Sequence, residues 1–236
     1  MQFSFVRKPF AFEAYLCTMN KNFINVFLTL GAATILFLGY RQFSHGQQIR
    51  ELPYFNPIEK NVEQKTDSFK RHLVNDFSLT DQSGKIITRK DFENSITAVN
   101  FFFTTCKGIC PRMNSQMARV YEKYKGNLEV QIISHTVNPE NDSVPVLAEY
   151  AKRFHANANQ WHFVTGDKPQ LYNLARKSYL ISDTRGDGGK EDFVHSQNFA
   201  LIDKEGHIRG IYNGTDSSEV NRMMVEMDVL LDSYKK

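Results

Sequence analysis

Cys106 and Cys110 stand four apart in the stretch V-N-F-F-F-T-T-C-K-G-I-C-P-R-M, residues 99–113. Residues four apart project from one side of a helical turn, so the two sulfurs can converge. Two convergent thiolates are either a redox pair or a clamp for a soft metal ion. Amides at a helix N-terminus, together with the neighbouring Lys107, should favour thiolate over thiol. The third cysteine, Cys17, is alone near the N-terminus, and three cysteines in all exclude a disulfide-rich scaffold.

The elements that must hold this pair follow from the pattern on either side. Val99 to Phe103 is an apolar aromatic run suited to a buried strand. From Met113 the apolar residues Met113, Met117, Val120, Tyr121 and Tyr124 recur at three and four, which predicts a helix ending near Gly126. The order is therefore strand, short loop, helix, with Cys106 at or just before the helix start and Cys110 in its first turn. Upstream, Phe77 to Thr80 and Lys85 to Thr88 flank the turn Asp81-Gln-Ser-Gly84 and read as a hairpin. Downstream, strands are expected at Leu128 to Ser134 and Trp161 to Val164, with helices at Val144 to Phe154 and Lys168 to Ser178. Ser182 to Asp192 reads as a glycine-rich charged loop. Phe199 to Asp203 and His207 to Tyr212 read as a closing hairpin, and Ser217 to Tyr234 as a terminal amphipathic helix. Strands alternating with helices imply an α/β sandwich, a mixed sheet between helix layers.

A length of 236 residues allows one core-bearing domain plus extra segments. The net charge of +3, with no basic stripe interleaved with aromatics, argues against a nucleic-acid partner. Phe23 to Tyr40 carries no charge over about 18 residues, the lower edge of a bilayer-spanning helix. No small-x-small cleavage site follows it, and Cys17 precedes it, so it reads as an uncleaved anchor and not as a signal or lipoprotein peptide. The expected division is a short N-terminal segment 1–21, a single transmembrane anchor 22–40, a polar tether 41–71 containing Pro53 and Pro57, and a globular domain 72–236. A short N-terminus before one span predicts that the domain is exported, where the oxidation state of a dithiol must be managed.

A buried strand feeding a cysteine pair at a helix start, then β–α units and a final hairpin, resembles the thioredoxin fold. Three motifs, F-F-F-T-T-C106-K-G-I-C110-P, N138-P-E-N-D142-S and D192-F-V-H195-S followed by F-A-L-I-D-K-E-G, resemble the Sco (SenC/PrrC) family over roughly residues 72–234. That family consists of membrane-anchored copper proteins that assist assembly of the binuclear copper centre of cytochrome c oxidase. The resemblance implies a copper ion, Cu(I) or Cu(II), held by Cys106, Cys110 and His195. It further implies a copper-bearing oxidase subunit or similar client, a thiol reductant protein as a possible second partner, and a place in an inner membrane with the domain on the periplasmic side. The chain has Thr105-Cys106-Lys107 and Val137-Asn138-Pro139-Glu140-Asn141-Asp142 where the family commonly has His-Cys-Pro and Val-Asp-Pro-Glu-Arg-Asp; neither change removes a ligand.

Two thiolates and an imidazole suit a soft, low-coordinate Cu(I) ion, and such binding requires the reduced dithiol. The other reading of the same pair is a membrane-anchored thiol-disulfide oxidoreductase, with Cys106 the nucleophile and Cys110 the resolving thiol. The three-residue gap between the cysteines, against two in the usual thioredoxin-type motif, argues against that as the main activity. Among other donors, His135 lies just after a predicted strand and could approach the site. Met113 and Met117 read as core and Asp142 as a helix cap.

Overall fold

Ile96–Phe102 is buried along its whole length, and that burial on both faces organises the domain. The structure, a computed structural model, describes residue 25 and residues 28–37, 51–57, 71–182, 184, 186, 189 and 192–235. Its contacts divide the chain into residues 1–49 and 50–236. In the first unit residues 28–37 are helical, and Leu28, Leu30, Ile35, Leu36 and Phe37 are all exposed. Among the described residues no helix is long and apolar enough to cross a membrane. The remainder of the expected anchor, and Cys17, lie outside the described residues.

The second unit carries the α/β sandwich. Its strands are β1 (Ser78–Asp81), β2 (Ile86–Thr88), β3 (Ile96–Phe102), β4 (Val130–Thr136), β5 (Trp161–Thr165), β6 (Asn198–Ile202) and β7 (Ile208–Asn213). They form one sheet in the order β2-β1-β5-β4-β3-β6-β7. β3, β4 and β5 are parallel, while β1 joins β5, and β6 joins β3, antiparallel. β6 thus lies beside β3, Val99 pairing with Ala200. The helices are α1 (Cys110–Tyr124), α2 (Val144–Lys152), α3 (Lys168–Asn173) and α4 (Ser217–Ser233). Alternation along β3 divides the core: Ala98 and Phe102 pack with Met113, Met117, Leu147 and Met223 on one face. Val99 and Phe101 pack with Leu171, Tyr172 and Tyr179 on the other. Met113 and Met117 have no exposed surface, as core residues should.

Two features depart from the sequence expectation. Helix was expected to continue to Ser178, but after Asn173 the chain winds into a π-turn, Leu174–Ser178, and Leu180 then takes a left-handed φ of 55°. Part of the expected tether is docked as well. Leu52 is buried in the core, the Phe55 N–H donates to the Ile208 carbonyl at 2.9 Å, and Arg209 donates to the carbonyls of Leu52 and Pro53. The same guanidinium pairs with Asp203 at 3.0 Å and lies 4.0 Å over the Tyr54 ring. Residues 51–57 therefore strap the outer edge of β7.

His135 lies inside β4, not after it. It is fully buried, stacked at 4.6 Å on Phe101, and neither ring nitrogen has a hydrogen-bond partner. Burial drives its pKa from 6.5 down to about 3; the Asn100 carbonyl, near but outside hydrogen-bonding geometry, offsets little of this. Burial lowers His162 too, against the Asp81 carboxylate 3.1 Å away. A folded pKa below the unfolded one means that protonation favours unfolding, so stability is complete above pH 6.5 and is lost as pH falls toward the folded value. His135→Phe, which keeps the ring stack, is expected to remove about 2 kcal/mol of the stability difference between pH 6.5 and pH 5, at about 1.4 kcal/mol per pH unit. Urea unfolding of both proteins at the two pH values measures this; parallel pH dependences would contradict the assignment.

Candidate functional site

The parallel strands β3 and β4 end at one pole of the sheet, and the antiparallel β6 begins there. Three segments consequently meet at that pole: the cysteine loop after β3, residues 137–143 after β4, and residues 193–197 before β6. Pro111 in the first turn of α1 forms without an unsatisfied N–H, which sets the helix start at Cys110. Cys106 lies four residues earlier, its N–H donating to the Phe103 carbonyl at 3.3 Å.

Both cysteines are free thiols, Cys106 partly exposed and Cys110 buried, and they lie close enough to shift each other's acidity. Their acidities are driven apart. Burial works against the Cys106 thiolate, but the Cys110 thiol and the backbone N–H groups of Cys110, Gly108 and Ile109 outweigh it, so its pKa lies below the usual thiol value. Lys107 is exposed and is not among the principal contributors. For Cys110, burial and then the neighbouring Cys106 push the pKa up to about 12. Convergent, inequivalent sulfurs of this kind can act as attacking and resolving thiols or, once both are deprotonated, as a two-thiolate clamp for a soft cation.

Asp142 does not cap α2, a position held by Ser143. It is fully buried and accepts from the Thr104 N–H at 3.2 Å, from the Thr104 hydroxyl and from the Thr136 hydroxyl. The residue thereby ties the turn that leads into Cys106 to the end of β4. A second buried network runs beneath the cysteines: Trp161 Nε1 donates to Ser134, Ser134 to Asn100, Asn100 to Asn114 and Asn114 to Tyr150. Burial raises the pKa of Tyr150; the Asn114 amide offsets part of this, and charge on Cys110 and Cys106 adds to it, which places the phenol within electrostatic reach of both sulfurs. The sequence reading missed this network; the signal was a polar Asn100 inside V-N-F-F-F.

His195 is not gathered with the cysteines. Among the described residues no three His, Cys, Asp or Glu side chains form a cluster that could hold a metal ion. The imidazole is exposed and lies 4.7 Å from the Phe193 ring, which stands edge-on to Phe103 at 5.3 Å, so the histidine segment packs on the cysteine loop through two aromatics. His135, His162 and His207 are engaged elsewhere.

A family model described as SCO1/SenC matches residues 65–228. The chain belongs to the SCO1/SenC family. Similar curated members include a SCO1 protein homolog of Bacillus subtilis, 29% identical over 147 residues, covering 61% of this chain and 76% of that one. A mitochondrial SCO2 homolog of Bos taurus is 30% identical over 165 residues, covering 66% and 60%. Among solved Sco structures, a SCO1/SenC family lipoprotein of Bacillus anthracis aligns with TM-score 0.60 at 25% identity, over 68% of this chain and 95% of that one. BsSco, described as a member of the Sco family of cytochrome c oxidase assembly proteins with a disulfide switch, aligns with TM-score 0.58 at 28% identity, over 71% and 98%. Arabidopsis thaliana ScoI with copper bound aligns with TM-score 0.54 at 26% identity, over 68% and 99%. The seven-stranded sheet flanked by helices is thus the thioredoxin-like architecture of Sco proteins.

Two outcomes follow for this site. In Cys17→Ser protein at pH 7, iodoacetamide should modify Cys106 first and leave Cys110 largely unmodified, as peptide mass spectrometry would read; equal rates would refute the asymmetry. Asp142→Ala should lower stability by about 2 kcal/mol, the scale of lost hydrogen bonds to a buried charge, and should narrow the difference between the two alkylation rates.

Proposed function

We propose that this chain is a copper metallochaperone for the assembly of the binuclear copper centre of cytochrome c oxidase. Copper is its cargo, held by Cys106 and Cys110 as thiolates and by His195 as the third donor. The observation that carries this reading is the pair of free thiols at and just before the start of α1, two soft donors close enough to shift each other's acidity. The copper-bound ScoI relative and the assembly role ascribed to BsSco support it. Completing the donor set requires the imidazole to turn from Phe193 toward the sulfurs. Binding releases the Cys110 proton, so it strengthens as pH rises. The client is a copper-bearing oxidase subunit, with a thiol reductant protein as the second partner that keeps the pair reduced.

In this reading residues 1–21 precede a transmembrane anchor at 22–40, followed by a tether in 41–71 and the Sco domain 72–236. The apolar side chains exposed all round residues 28–37 support an anchor, as a helix without a polar face suits lipid. The anchor sits in an inner membrane, the domain on the periplasmic side.

The opposed shifts of Cys106 and Cys110 favour a second reading on the same pair. A thiol-disulfide oxidoreductase would use Cys106 to attack a client disulfide; Cys110 would then resolve the mixed disulfide, leaving the client dithiol and a Cys106–Cys110 disulfide, two electrons and two protons having passed to the client.

Copper titration of the reduced full-length chain in detergent decides between them, run beside Cys106→Ser, Cys110→Ser and His195→Ala. One tight equivalent is expected, abolished in either serine variant and weakened tenfold or more in His195→Ala. Indifference to copper with rapid turnover of a disulfide substrate would establish the oxidoreductase instead.

A further inference from the structure

Arg176 stands in the π-turn after α3, and its guanidinium gathers two points of the chain eight and sixteen residues further on. Nε donates to the Thr184 carbonyl at 2.6 Å, and the two terminal nitrogens each donate to one oxygen of Asp192, also at 2.6 Å. Both side chains of this ion pair are nearly buried. A planar fork on a carboxylate fixes direction as well as distance, which a single bond from a lysine would not. The carboxylate is enclosed from another side too. A Cβ built on Gly186 would fall 2.3 Å from each Asp192 oxygen, so the chain passes Asp192 where no side chain fits. The π-turn itself is fastened to the central strand: Leu174, Ala175 and Tyr179 share one apolar cluster with Val99 and Phe101 of β3, and the Tyr179 ring lies 6.0 Å from that of Phe101.

Asp192 stands three residues before His195. One residue after the histidine, Ser196 donates to the Ile181 carbonyl at 2.6 Å, and the Asn198 amide reaches the same carbonyl at 3.2 Å. Only residues 193–195 lie between these two fastenings, and within them Phe193 meets Phe103 of the cysteine loop edge-on at 5.3 Å. We propose that the Arg176–Asp192 fork is a positioning device for copper binding, which holds the start of this stretch so that His195 stays within turning distance of the cysteine loop. The inference rests on the reading of His195 as the third copper donor.

Two substitutions weaken the fork without removing its bulk. Asp192→Asn keeps the shape but accepts only one of the two N–H groups, and Gly186→Ala presses on the carboxylate while leaving both partners intact. They are compared, in the full-length chain in detergent, with His195→Ala and with the double variant of Asp192→Asn and His195→Ala. In both fork variants copper affinity should fall about tenfold, the scale of losing a group that orients a ligand. The nitrogen coupling in the Cu(II) electron paramagnetic resonance spectrum should weaken toward that of His195→Ala. The double variant should bind no more weakly than His195→Ala alone, whereas a carboxylate that merely attracted the cation would give losses that add. Without copper, the nuclear Overhauser effect between the Phe103 and Phe193 rings should weaken at least about twofold in both fork variants while β3 amides keep their protection against hydrogen exchange. An unchanged ring contact overturns the proposal, as do losses that add, or wild-type copper binding in the fork variants beside an impaired His195→Ala. Loss of β3 protection in both fork variants overturns it as well, since the fork would then hold the fold and not the segment. If His195→Ala itself binds copper as wild type does, the ligand reading fails and takes this inference with it.

Discussion

A strand buried on both faces and paired on both edges cannot move without dismantling two cores at once. β3 is such a strand, with β4 on one side, β6 on the other, and separate apolar clusters above and below. Everything chemical in this domain hangs from its C-terminal end. The parallel pairing with β4 and antiparallel pairing with β6 bring three loops to that end, and their contacts are short and mostly buried. Asp142 clamps the turn before Cys106, and Phe103 meets Phe193. A cysteine pair on a freely moving loop would sample many sulfur–sulfur separations; here the separation is set by a helix start fixed to an immobile strand.

That placement accounts for the unequal sulfurs. The amides of residues 108–110 favour the thiolate of the one cysteine that lies outside the helix, while the other, being the first helical residue, is turned into the core. Identical side chains four residues apart thus acquire different chemistry from backbone geometry alone. The buried Asn100–Asn114–Tyr150 chain holds α1 in register on the sheet, keeping that geometry from drifting.

The strand, the helix and the convergence of the sulfurs were legible because their determinants are local: an unbroken apolar run, a three-and-four repeat, and Pro111 beside Cys110. The Asp142 clamp was not, since its partner Thr104 is 38 residues away and the segment N-P-E-N-D-S reads equally well as a cap. Docking of residues 51–57 depends on Arg209, more than 150 residues later, and a proline-containing polar stretch carries no trace of it. The π-turn after Asn173 reflects how Leu174 and Ala175 fit the core, which helical periodicity cannot register. His195 was singled out through its resemblance motif, D192-F-V-H195-S. Its distance from the cysteines is a matter of loop packing that no spacing rule encodes.

The strap on β7 also has a mechanical meaning. Phe55 joins the sheet at Ile208, opposite Ile202 and hence Thr97, which is the end of β3 remote from the cysteine loop. A pull along the N-terminal chain is first taken up by Arg209, its grip on two carbonyls and its pairing with Asp203, and it loads the sheet from its far end. The sulfur pair sits at the unloaded end, separated from the strap by the full length of a strand buried throughout and paired on both edges.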